Sequence, residues 1–359
     1  MSILMVRHEV VKAQIASLLT AWGMAPDQVE TTSTVMADAD LRGIDTHGIS
    51  MMPVYDERRR NNTVTIDAKV AIVAETPVSV LVDGGGGLGY VPSVMAMNRA
   101  ISIAKAGGVC VAAVRNSNHF GAAGYYTRMA AEQGVIGMSA TSASAPRVVP
   151  TFGAEQRLGT DPISFAAPAR RNPPFVLDMA TSTVASGKIR NAATEGREVP
   201  IGWMTDRDGR PTTNAREAYY EGGMHTPLGG TPELSSHKGY GLAAMVNILT
   251  TCLAGGSLVT APDHPHRTPG SMELAHFFLA IDPGLFRERS AFEDTLDQFI
   301  DDLHATKPVD PAQPVLVAGD PEEKKKQTRL VEGIPVPPGL AGKIQGLAEA
   351  AGVPYLLAG

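Results

Sequence analysis

The chain has 359 residues, of which 43% are hydrophobic and 19% charged, which excludes a disordered chain and leaves enough length for a large core. Its net charge of −6, with Lys and Arg spread along the sequence, argues against nucleic-acid and membrane partners, so we expect a small-molecule substrate. Two cysteines, Cys110 and Cys252, are too few for a disulfide scaffold and fit a reducing cytoplasm.

The first part of the chain is predicted to be helical. Apolar residues recur at helical spacing from Val11 to Trp22, and Pro26 opens a second helical pattern. The N-terminus has no apolar segment of signal-peptide length before these helices. We therefore expect a helical layer at the start of a protein that is not exported.

The pattern then changes to alternating strands and helices, which is typical of an α/β protein. Helices are predicted at 92–105, at 125–133 and after Lys238. The uncharged stretch from Gly239 to Pro262 is interpreted as a buried helix rather than a membrane span, because it contains Asn, Ser, Thr and Gly. Strands are predicted at 78–82, 109–114, 135–141, 163–167, 175–178, 277–281 and 315–317.

A glycine-rich loop has the spacing of a dinucleotide fingerprint. Gly84, Gly86 and Gly89 follow a predicted strand and precede a predicted helix. A Rossmann fold also needs an acidic residue at the end of the next strand, and no Asp or Glu occurs from Gly84 to Ala131. A close backbone approach or an active-site lid explains the glycines as well.

Two histidines lie in polar turns. His47 belongs to Asp45-Thr46-His47-Gly48, where a structural histidine capped by neighbouring hydroxyls is the alternative to catalysis. His119 belongs to Asn116-Ser117-Asn118-His119-Phe120-Gly121, between a predicted strand and a predicted helix. Strand ends and helix N-termini bind anionic ligands in α/β proteins, so a carboxylate or phosphate is expected near His119.

Five blocks in order carry a resemblance to a known family. Besides the two histidine segments, they are Leu158-Gly159-Thr160-Asp161-Pro162-Ile163, Asp178-Met179-Ala180-Thr181-Ser182 with Gly187-Lys188-Ile189, and His237-Lys238-Gly239-Tyr240-Gly241. Over nearly its whole length the chain resembles the type 2 malate/L-lactate dehydrogenase family. Relatives of that family include ureidoglycolate, sulfolactate, diketogulonate and piperideine-2-carboxylate oxidoreductases.

The resemblance implies an α/β fold without a Rossmann fingerprint. A helical N-terminal domain, residues 1–75, is joined by the C-terminal segment 320–359. Residues 76–319 form a large mixed or antiparallel sheet domain that binds NAD or NADP. A homodimer is implied, and the expected reaction transfers a hydride between nicotinamide and a small 2-hydroxy acid or 2-oxo acid.

The resemblance also implies site residues. His47 and His119 fall at active-site positions, and relatives differ in which histidine donates the proton; Asp45 or Asp161 is expected to orient a ring nitrogen. Substrate contacts are expected from Tyr55, Asp45, Asp161 and Arg190. The expected cofactor contacts are Ser142, Ser144, Asp178, Met179, Ala180, Thr181, Ser182, Lys188, His237, Lys238, Gly319, Asp320 and Pro321.

Two of these cofactor assignments also have support from local chemistry. Lys238 opens a predicted helix, where its ammonium and free N–H groups suit a pyrophosphate, although a solvated lysine is the alternative. Asp178 ends a predicted strand and suits ribose hydroxyls, although a helix cap is equally compatible.

One position departs from the family pattern. Relatives commonly carry an arginine four residues after the first motif histidine, where it can bind a substrate carboxylate, and this chain has Met51. Arg190 or Arg147 is a candidate replacement. The alternative is a substrate that presents a less polar group to Met51.

Other functions are compatible with the same residues. The reductase of a cyclic imine carboxylate, a histidine acid/base hydrolase or lyase without nicotinamide, and a non-catalytic binding protein are the alternatives. The segment Asp263-His264-Pro265-His266 has metal-binding side chains but no third ligand nearby in sequence, so no metal is expected.

Overall fold

A computed structural model of the chain describes residues 3–260 and 273–358. Within these ranges it contains helices α1 (His8–Ala21), α2 (Pro26–Leu41), α3 (Met52–Arg60), α4 (Tyr90–Gly107), α5 (Ala123–Ala131), α6 (Ser186–Thr194), α7 (Ala215–Tyr220), α8 (His237–Asn247), α9 (Arg289–His304), α10 (Asp320–Glu332) and α11 (Pro338–Ala351). The strands are β1 (Leu4–Val6), β2 (Ala71–Thr76), β3 (Ser79–Asp83), β4 (Val109–Ser117), β5 (Ile136–Thr141), β6 (Ile163–Ala167), β7 (Phe175–Met179), β8 (Met204–Thr205), β9 (Pro211–Thr212), β10 (Met224–His225), β11 (Leu274–Ile281) and β12 (Ile334–Val336).

The central element is a seven-stranded mixed sheet in the order β2-β3-β4-β11-β5-β6-β7. β3 and β4 pair in parallel, whereas every other neighbouring pair of this sheet is antiparallel. Helices α4 and α5 cover one face, where Met97, Tyr126 and Phe278 are fully buried. A Rossmann fold requires successive parallel strands, so the predicted mixed, non-Rossmann sheet is confirmed.

The N-terminal helices share one core with the C-terminal end of the chain. Val11, Ile15, Leu18 and Leu19 form the buried stripe of α1, as their spacing predicts. β12 pairs with β1, and α11 packs its buried residues into the same core. The C-terminal segment thus returns to the first helices, while the division of the chain into two domains stays a prediction.

Most predicted elements are present, with ends displaced by a few residues. The strand predicted at 315–317 is wrong. This segment lies between Pro314 and Gly319, and it runs beside the edge strand β7 with one backbone hydrogen bond, from Val176 N–H to Ala318 O at 3.0 Å. Because Gly319 has a φ of 105°, the chain turns there into α10 instead of extending a ladder.

The helix expected after Lys238 begins at His237 and continues as a π-helix over Ile248–Cys252. Val246 packs against the sheet, but Ile248 and Leu253 are exposed, so the prediction of a buried helix is correct for one face only. Among the described residues, no helix has the length and apolar character needed to cross a bilayer.

The glycine loop packs against the loop that carries His119. Gly84, Gly86 and Gly89 donate their N–H groups to carbonyls of the 115–119 segment, at 2.8–3.0 Å. A Cβ at Gly89 would lie 2.4 Å from the carbonyl oxygen of Asn118. These N–H groups are therefore not free to bind phosphate, and the close backbone approach explains the glycines.

Candidate active site

Two loops bring His47 and His119 together. His47 lies in the turn between α2 and α3, and His119 lies between β4 and α5. Their ring centroids are 5.4 Å apart and their planes differ by 25°. This separation is short enough for both side chains to act on one small substrate. Their catalytic roles stay predictions.

Two buried tyrosines hold His119. The Tyr55 hydroxyl lies 2.6 Å from His119 Nδ1 and 2.7 Å from the Tyr90 hydroxyl. Gly121 N–H donates to the same Nδ1 at 3.4 Å, so Nδ1 is an acceptor and the proton of the neutral ring is on Nε2. Tyr55, which was expected to contact substrate, therefore fixes the orientation of His119; its substrate contact stays a prediction.

Both imidazoles are poor at holding a positive charge. Burial lowers the pKa of His119 well below its usual value, and the charges of His47 and Arg58 lower it further. Burial also lowers the pKa of His47. At neutral pH each ring is therefore neutral, with one N–H donor and one nitrogen acceptor.

Ionisable side chains support the His47 loop. The Asp40 carboxyl accepts the N–H of Ile49 at 2.7 Å, and a Cβ at Gly48 would lie 2.0 Å from that carboxyl, so the loop fits closely over it. Arg329 of α10 donates to both carboxylate oxygens of Asp45, with Nη2 at 3.0 Å. Burial raises the pKa of Asp40 to about 8.

The acids expected to orient an imidazole have other partners. Asp45 is paired with Arg329. Asp161 is buried and accepts the N–H groups of Ala143 and Gly159 at 3.0 Å, together with the Asn247 amide at 2.7 Å. In the described ranges, His47 Nδ1 instead lies 2.8 Å from Thr46 Oγ1. The orienting role is therefore wrong for both acids, and their substrate contacts stay predictions.

A cleft of about 330 Å³ is lined in part by residues of both histidine loops. Its lining includes Ile44 and Ala122, each three residues from a histidine in sequence, and also Asp178, Gly319 and Pro321. The Asp178 carboxylate accepts the N–H of Gly124 at 2.7 Å, at the start of α5. Asp178 thus caps a helix, but the described hydrogen bonds of its side chain involve only one of its two oxygens.

This cleft fits part of a dinucleotide. Its volume lies within the range of small-molecule sites, and it combines a helix N-terminus with a carboxylate that can accept ribose hydroxyls. Gly319 packs closely on β7 there, since a Cβ would lie 3.3 Å from the backbone nitrogen of Val176. The predicted residues Asp178, Gly319 and Pro321 are therefore brought to one place.

Other predicted cofactor residues form internal contacts. The Thr181 hydroxyl donates to Thr160 O and Asp161 O at 3.1 Å, the Ser182 hydroxyl donates to Val184 O at 3.2 Å, and Asp320 accepts the N–H of Val317 at 2.7 Å. These side chains hold the backbone, and the cofactor contacts assigned to them stay predictions. Ser142 is buried against β11; the partly or fully exposed members are Ser144, Met179, Ala180, Lys188 and His237.

Lys238 is connected to the Asp178–Ser182 segment through Leu228. Leu228 donates its N–H to Thr181 O at 2.8 Å and accepts the N–H of Gly239 at 3.1 Å. Lys238, whose side chain is exposed, therefore lies in the first turn of α8, close to the segment that follows β7. The structure thus brings together the two segments predicted to bind the dinucleotide.

The candidate replacements for the missing arginine are not integrated into this site. Arg190 is exposed on α6, and Arg147 is exposed near β10. In the part of the chain that the structure describes, neither side chain bonds to a histidine loop. Met51 is partly buried and packs against the N-terminal core. The predicted substrate contact of Arg190 stays a prediction.

Arg58 is the site residue that the sequence analysis missed. Its Nη1 donates to Asn118 Oδ1, which also accepts the N–H of His119 at 2.9 Å, and its Nη2 donates to Ser144 Oγ at 3.3 Å. Met51, Tyr55 and Arg58 have i, i+4, i+7 spacing. That helical spacing was the available signal, because Tyr55 was already a candidate.

Comparison with known proteins identifies the family. The chain matches the family model described as malate/L-lactate dehydrogenase over residues 6–345. It is 36% identical to a malate dehydrogenase of Pyrococcus horikoshii over 340 aligned residues, and this alignment covers 94% of this chain and 93% of that protein. The chain belongs to the malate/L-lactate dehydrogenase family. The family predicted from the five blocks is therefore confirmed.

Further relatives support this membership of the malate/L-lactate dehydrogenase family. The chain is 35% identical over 324 residues to an L-sulfolactate dehydrogenase of Methanocaldococcus jannaschii, covering 89% of each. The crystal structure of malate dehydrogenase from Entamoeba histolytica matches with a TM-score of 0.91 at 31% identity, covering 98% of this chain and 99% of that chain.

Family membership confirms the predicted enzyme class. The chain is an oxidoreductase that uses a nicotinamide cofactor, NAD or NADP, and acts on the CH–OH group of a hydroxy acid. This favours the dehydrogenase over the hydrolase, lyase and non-catalytic hypotheses. A Δ1-piperideine-2-carboxylate reductase from Pseudomonas syringae has a similar structure, at 28% identity and a TM-score of 0.83, but the more similar relatives are hydroxy-acid dehydrogenases. The segment 263–266, weighed for metal binding, lies outside the described residues.

Proposed function

We propose that this enzyme interconverts a small 2-oxo acid and its 2-hydroxy acid, with His47 and His119 acting on the reacting oxygen. The observation that supports this is the pair of neutral imidazoles, 5.4 Å apart, on two loops that also contribute residues to a cleft that fits part of a dinucleotide. The substrate is small because both rings must reach the same oxygen.

The nicotinamide supplies or accepts the hydride, and the protein must position the substrate and move one proton. His119 carries its proton on Nε2, so it donates a hydrogen bond to the oxygen and polarises the carbonyl. His47 lies beside the exposed Thr46, so it takes up a proton from solvent to form a transient imidazolium, delivers that proton to the oxygen and returns to the neutral ring. In oxidation the same nitrogen accepts the hydroxyl proton.

A substrate screen tests this function. Purified enzyme is mixed with NADH or NADPH and a panel of 2-oxo acids and cyclic imine carboxylates, and nicotinamide oxidation is followed by near-ultraviolet absorbance. We expect turnover with at least one 2-oxo acid. Turnover with cyclic imines and no 2-oxo acid would replace this proposal with the imine reductase.

NAD is the proposed cofactor rather than NADP. The cleft contains the carboxylates of Asp38, Asp178 and Glu322, while its arginines, Arg42 and Arg128, are already paired with acids. A ribose 2′-phosphate would face these carboxylates without a free cation, whereas ribose hydroxyls can donate to Asp178. We expect kcat/KM for NADH to exceed that for NADPH at least about tenfold; equal values would contradict the proposal.

The dinucleotide is also proposed to contact Lys238. The ammonium of Lys238 lies at the start of α8, where helix N–H groups also favour a phosphate. Replacing Lys238→Ala should weaken NADH binding roughly ten- to a hundredfold, since a charge-assisted phosphate contact is lost. Fluorescence titration measures this. Lys307→Ala, at an exposed position after α9, is the matched control and should bind NADH normally.

A homodimer acting in the cytoplasm completes the proposal. The exposed side chains of Tyr240, Ile248 and Leu253 on α8 and the following π-helix give an apolar surface that supports self-association. Light scattering after size exclusion measures the mass, and a monomer at micromolar concentration would contradict the dimer.

A further inference from the structure

Arg58 places a positive charge beside the histidine pair, and in the described residues no carboxylate forms an ion pair with it, although the charge of Glu57 acts on it from a longer distance. The side chain is partly buried, and its described acceptors, Asn118 Oδ1 and Ser144 Oγ, are both neutral. A guanidinium has five N–H donors, so these two bonds leave others available. Burial lowers the pKa of Arg58, which shows that its charge is poorly solvated.

Neighbouring arginines differ from Arg58 in this respect. On the segments that flank the two histidines, the arginines that form ion pairs with carboxylates are Arg42, Arg59, Arg60, Arg115 and Arg128. Among the described residues of those segments, Arg58 is the arginine with no such ion pair. A partly buried guanidinium without an ion-paired carboxylate is costly, and a bound anion would lower that cost.

The position of Arg58 relates this charge to the reacting group. Asn118 Oδ1 accepts from both Arg58 and the N–H of His119, so the guanidinium is one side chain away from the His119 backbone. The charge of Arg58 also reaches the imidazole, since it contributes to the lowered pKa of His119. An anion at Arg58 would thus lie beside the oxygen that His119 polarises. In a 2-oxo acid the carboxylate is bonded to the carbonyl carbon, so the two groups are neighbours in the same way.

Met51 limits the site to one such anion. It occupies the position at which relatives commonly have arginine, and it packs against the N-terminal core. A dicarboxylic 2-oxo acid would bring a second carboxylate to a site that has one unbalanced guanidinium on the flanking segments. A monocarboxylic 2-oxo acid with a short apolar side chain needs only Arg58.

We propose that Arg58 binds the carboxylate next to the reacting carbon, and that Met51 makes the enzyme select monocarboxylic over dicarboxylic 2-oxo acids. This rests on the proposed 2-oxo acid reduction. The carboxylate contact is thereby assigned to Arg58 of α3, seven positions after Met51.

The first experiment compares Arg58→Gln with the wild-type enzyme, using pyruvate and its neutral amide, pyruvamide, with NADH. The wild type should prefer the acid over the amide, and Arg58→Gln should lower kcat/KM for the acid roughly ten- to a hundredfold while changing the amide little. Arg58→Lys should restore part of the preference. Arg60→Gln, at an exposed residue paired with Asp56, is the control and should keep the wild-type ratio.

An equal fall for acid and amide in Arg58→Gln, with no recovery in Arg58→Lys, would overturn the carboxylate contact and leave Arg58 a structural role. Calorimetric binding of pyruvate to the enzyme provides a readout without turnover. If pyruvate binding is lost in Arg58→Gln but kept in Arg60→Gln, the contact is supported even if no 2-oxo acid is reduced. If the wild type reduces pyruvate and Arg58→Gln binds pyruvate as well as the wild type does, the contact is overturned but the proposed function is not.

The second experiment tests selectivity by comparing pyruvate with oxaloacetate. The wild type should prefer pyruvate at least about tenfold, and Met51→Arg should shift the ratio of kcat/KM towards oxaloacetate by a similar factor. Met51→Leu, which keeps an apolar side chain, is the matched control. A wild type that reduces oxaloacetate as efficiently as pyruvate would overturn the selectivity.

Discussion

The loops that carry His119 and His47 are held by different interactions. Around His119 the contacts are mostly neutral hydrogen bonds and ring packing, and the charged exception is the Arg58 guanidinium, which donates to Asn118. His276 lies 2.8 Å from Ser117 Oγ and 2.6 Å from Thr141 Oγ1, and its ring stacks on Phe120 at 4.6 Å. Burial lowers the pKa of His276 to about 3, so this support stays neutral across the physiological range.

Around His47 the contacts come from ionisable side chains. Asp40 lies under the loop, and Asp45 pairs with Arg329, whose helix α10 begins at the cleft proposed for the dinucleotide. Charged supports depend on protonation, whereas neutral supports do not. The comparison suggests a fixed group, His119, and a proton-exchanging group, His47, whose loop responds to pH.

The histidines themselves are expected to give the largest effects. His47→Gln and His119→Gln should each lower kcat by about 10²- to 10⁴-fold, because each removes one role in the same proton transfer. NADH affinity, measured by fluorescence, should stay near the wild-type value. The double variant should resemble the worse single variant, and multiplied losses would show that the two rings act in separate steps.

Sequence patterns predicted the His119 side better than the His47 side. The block 116–121 lies between a strand and a helix, and both were visible as periodic segments. The supports of His47 come from residues far apart in sequence, since Arg329 lies 284 positions from Asp45. Local patterns contain no information about such a pair. Asp45 was assigned to the imidazole for the same reason: its true partner lies on the C-terminal helix.

The wrong strand at 315–317 and the missed Arg58 have related causes. An apolar run bounded by Pro314 and Gly319 has strand character, but its neighbour β7 offers only one backbone bond. Arg58 stands in a run of three arginines, and the sequence does not distinguish it from Arg59 and Arg60, which form ordinary ion pairs. Only tertiary structure shows which of the three faces Asn118.

Tyr55→Phe should give an intermediate effect on the His119 side. The variant loses the hydroxyl that lies 2.6 Å from Nδ1, so the imidazole can turn away from the reacting oxygen. We expect kcat to fall about tenfold with NADH binding unchanged. Tyr90→Phe is the matched control, because it removes a buried hydroxyl but keeps the Tyr55–His119 contact. Equal losses of kcat in both variants would contradict the positioning role of Tyr55.

The smallest predicted effect is on stability, and it concerns Asp40 under the His47 loop. Its pKa is raised from 3.8 to about 8 in the folded protein by burial, with Asp45 raising it and Arg329 lowering it. Between these two values the folded state holds a proton that the unfolded chain has released. Stability from this group therefore falls as pH rises through that window.

Asp40→Asn removes the titration but keeps an oxygen that can accept the N–H of Ile49. The melting temperature of the wild type should fall relative to the variant by on the order of 5 °C between about pH 5 and about pH 8. Asp45→Asn is the contrast: it leaves the Arg329 guanidinium without its carboxylate, so it should destabilise the protein at both pH values. If the melting temperatures of the wild type and Asp40→Asn change equally with pH, Asp40 does not titrate in this window. The proposal that the His47 loop responds to pH would then be wrong.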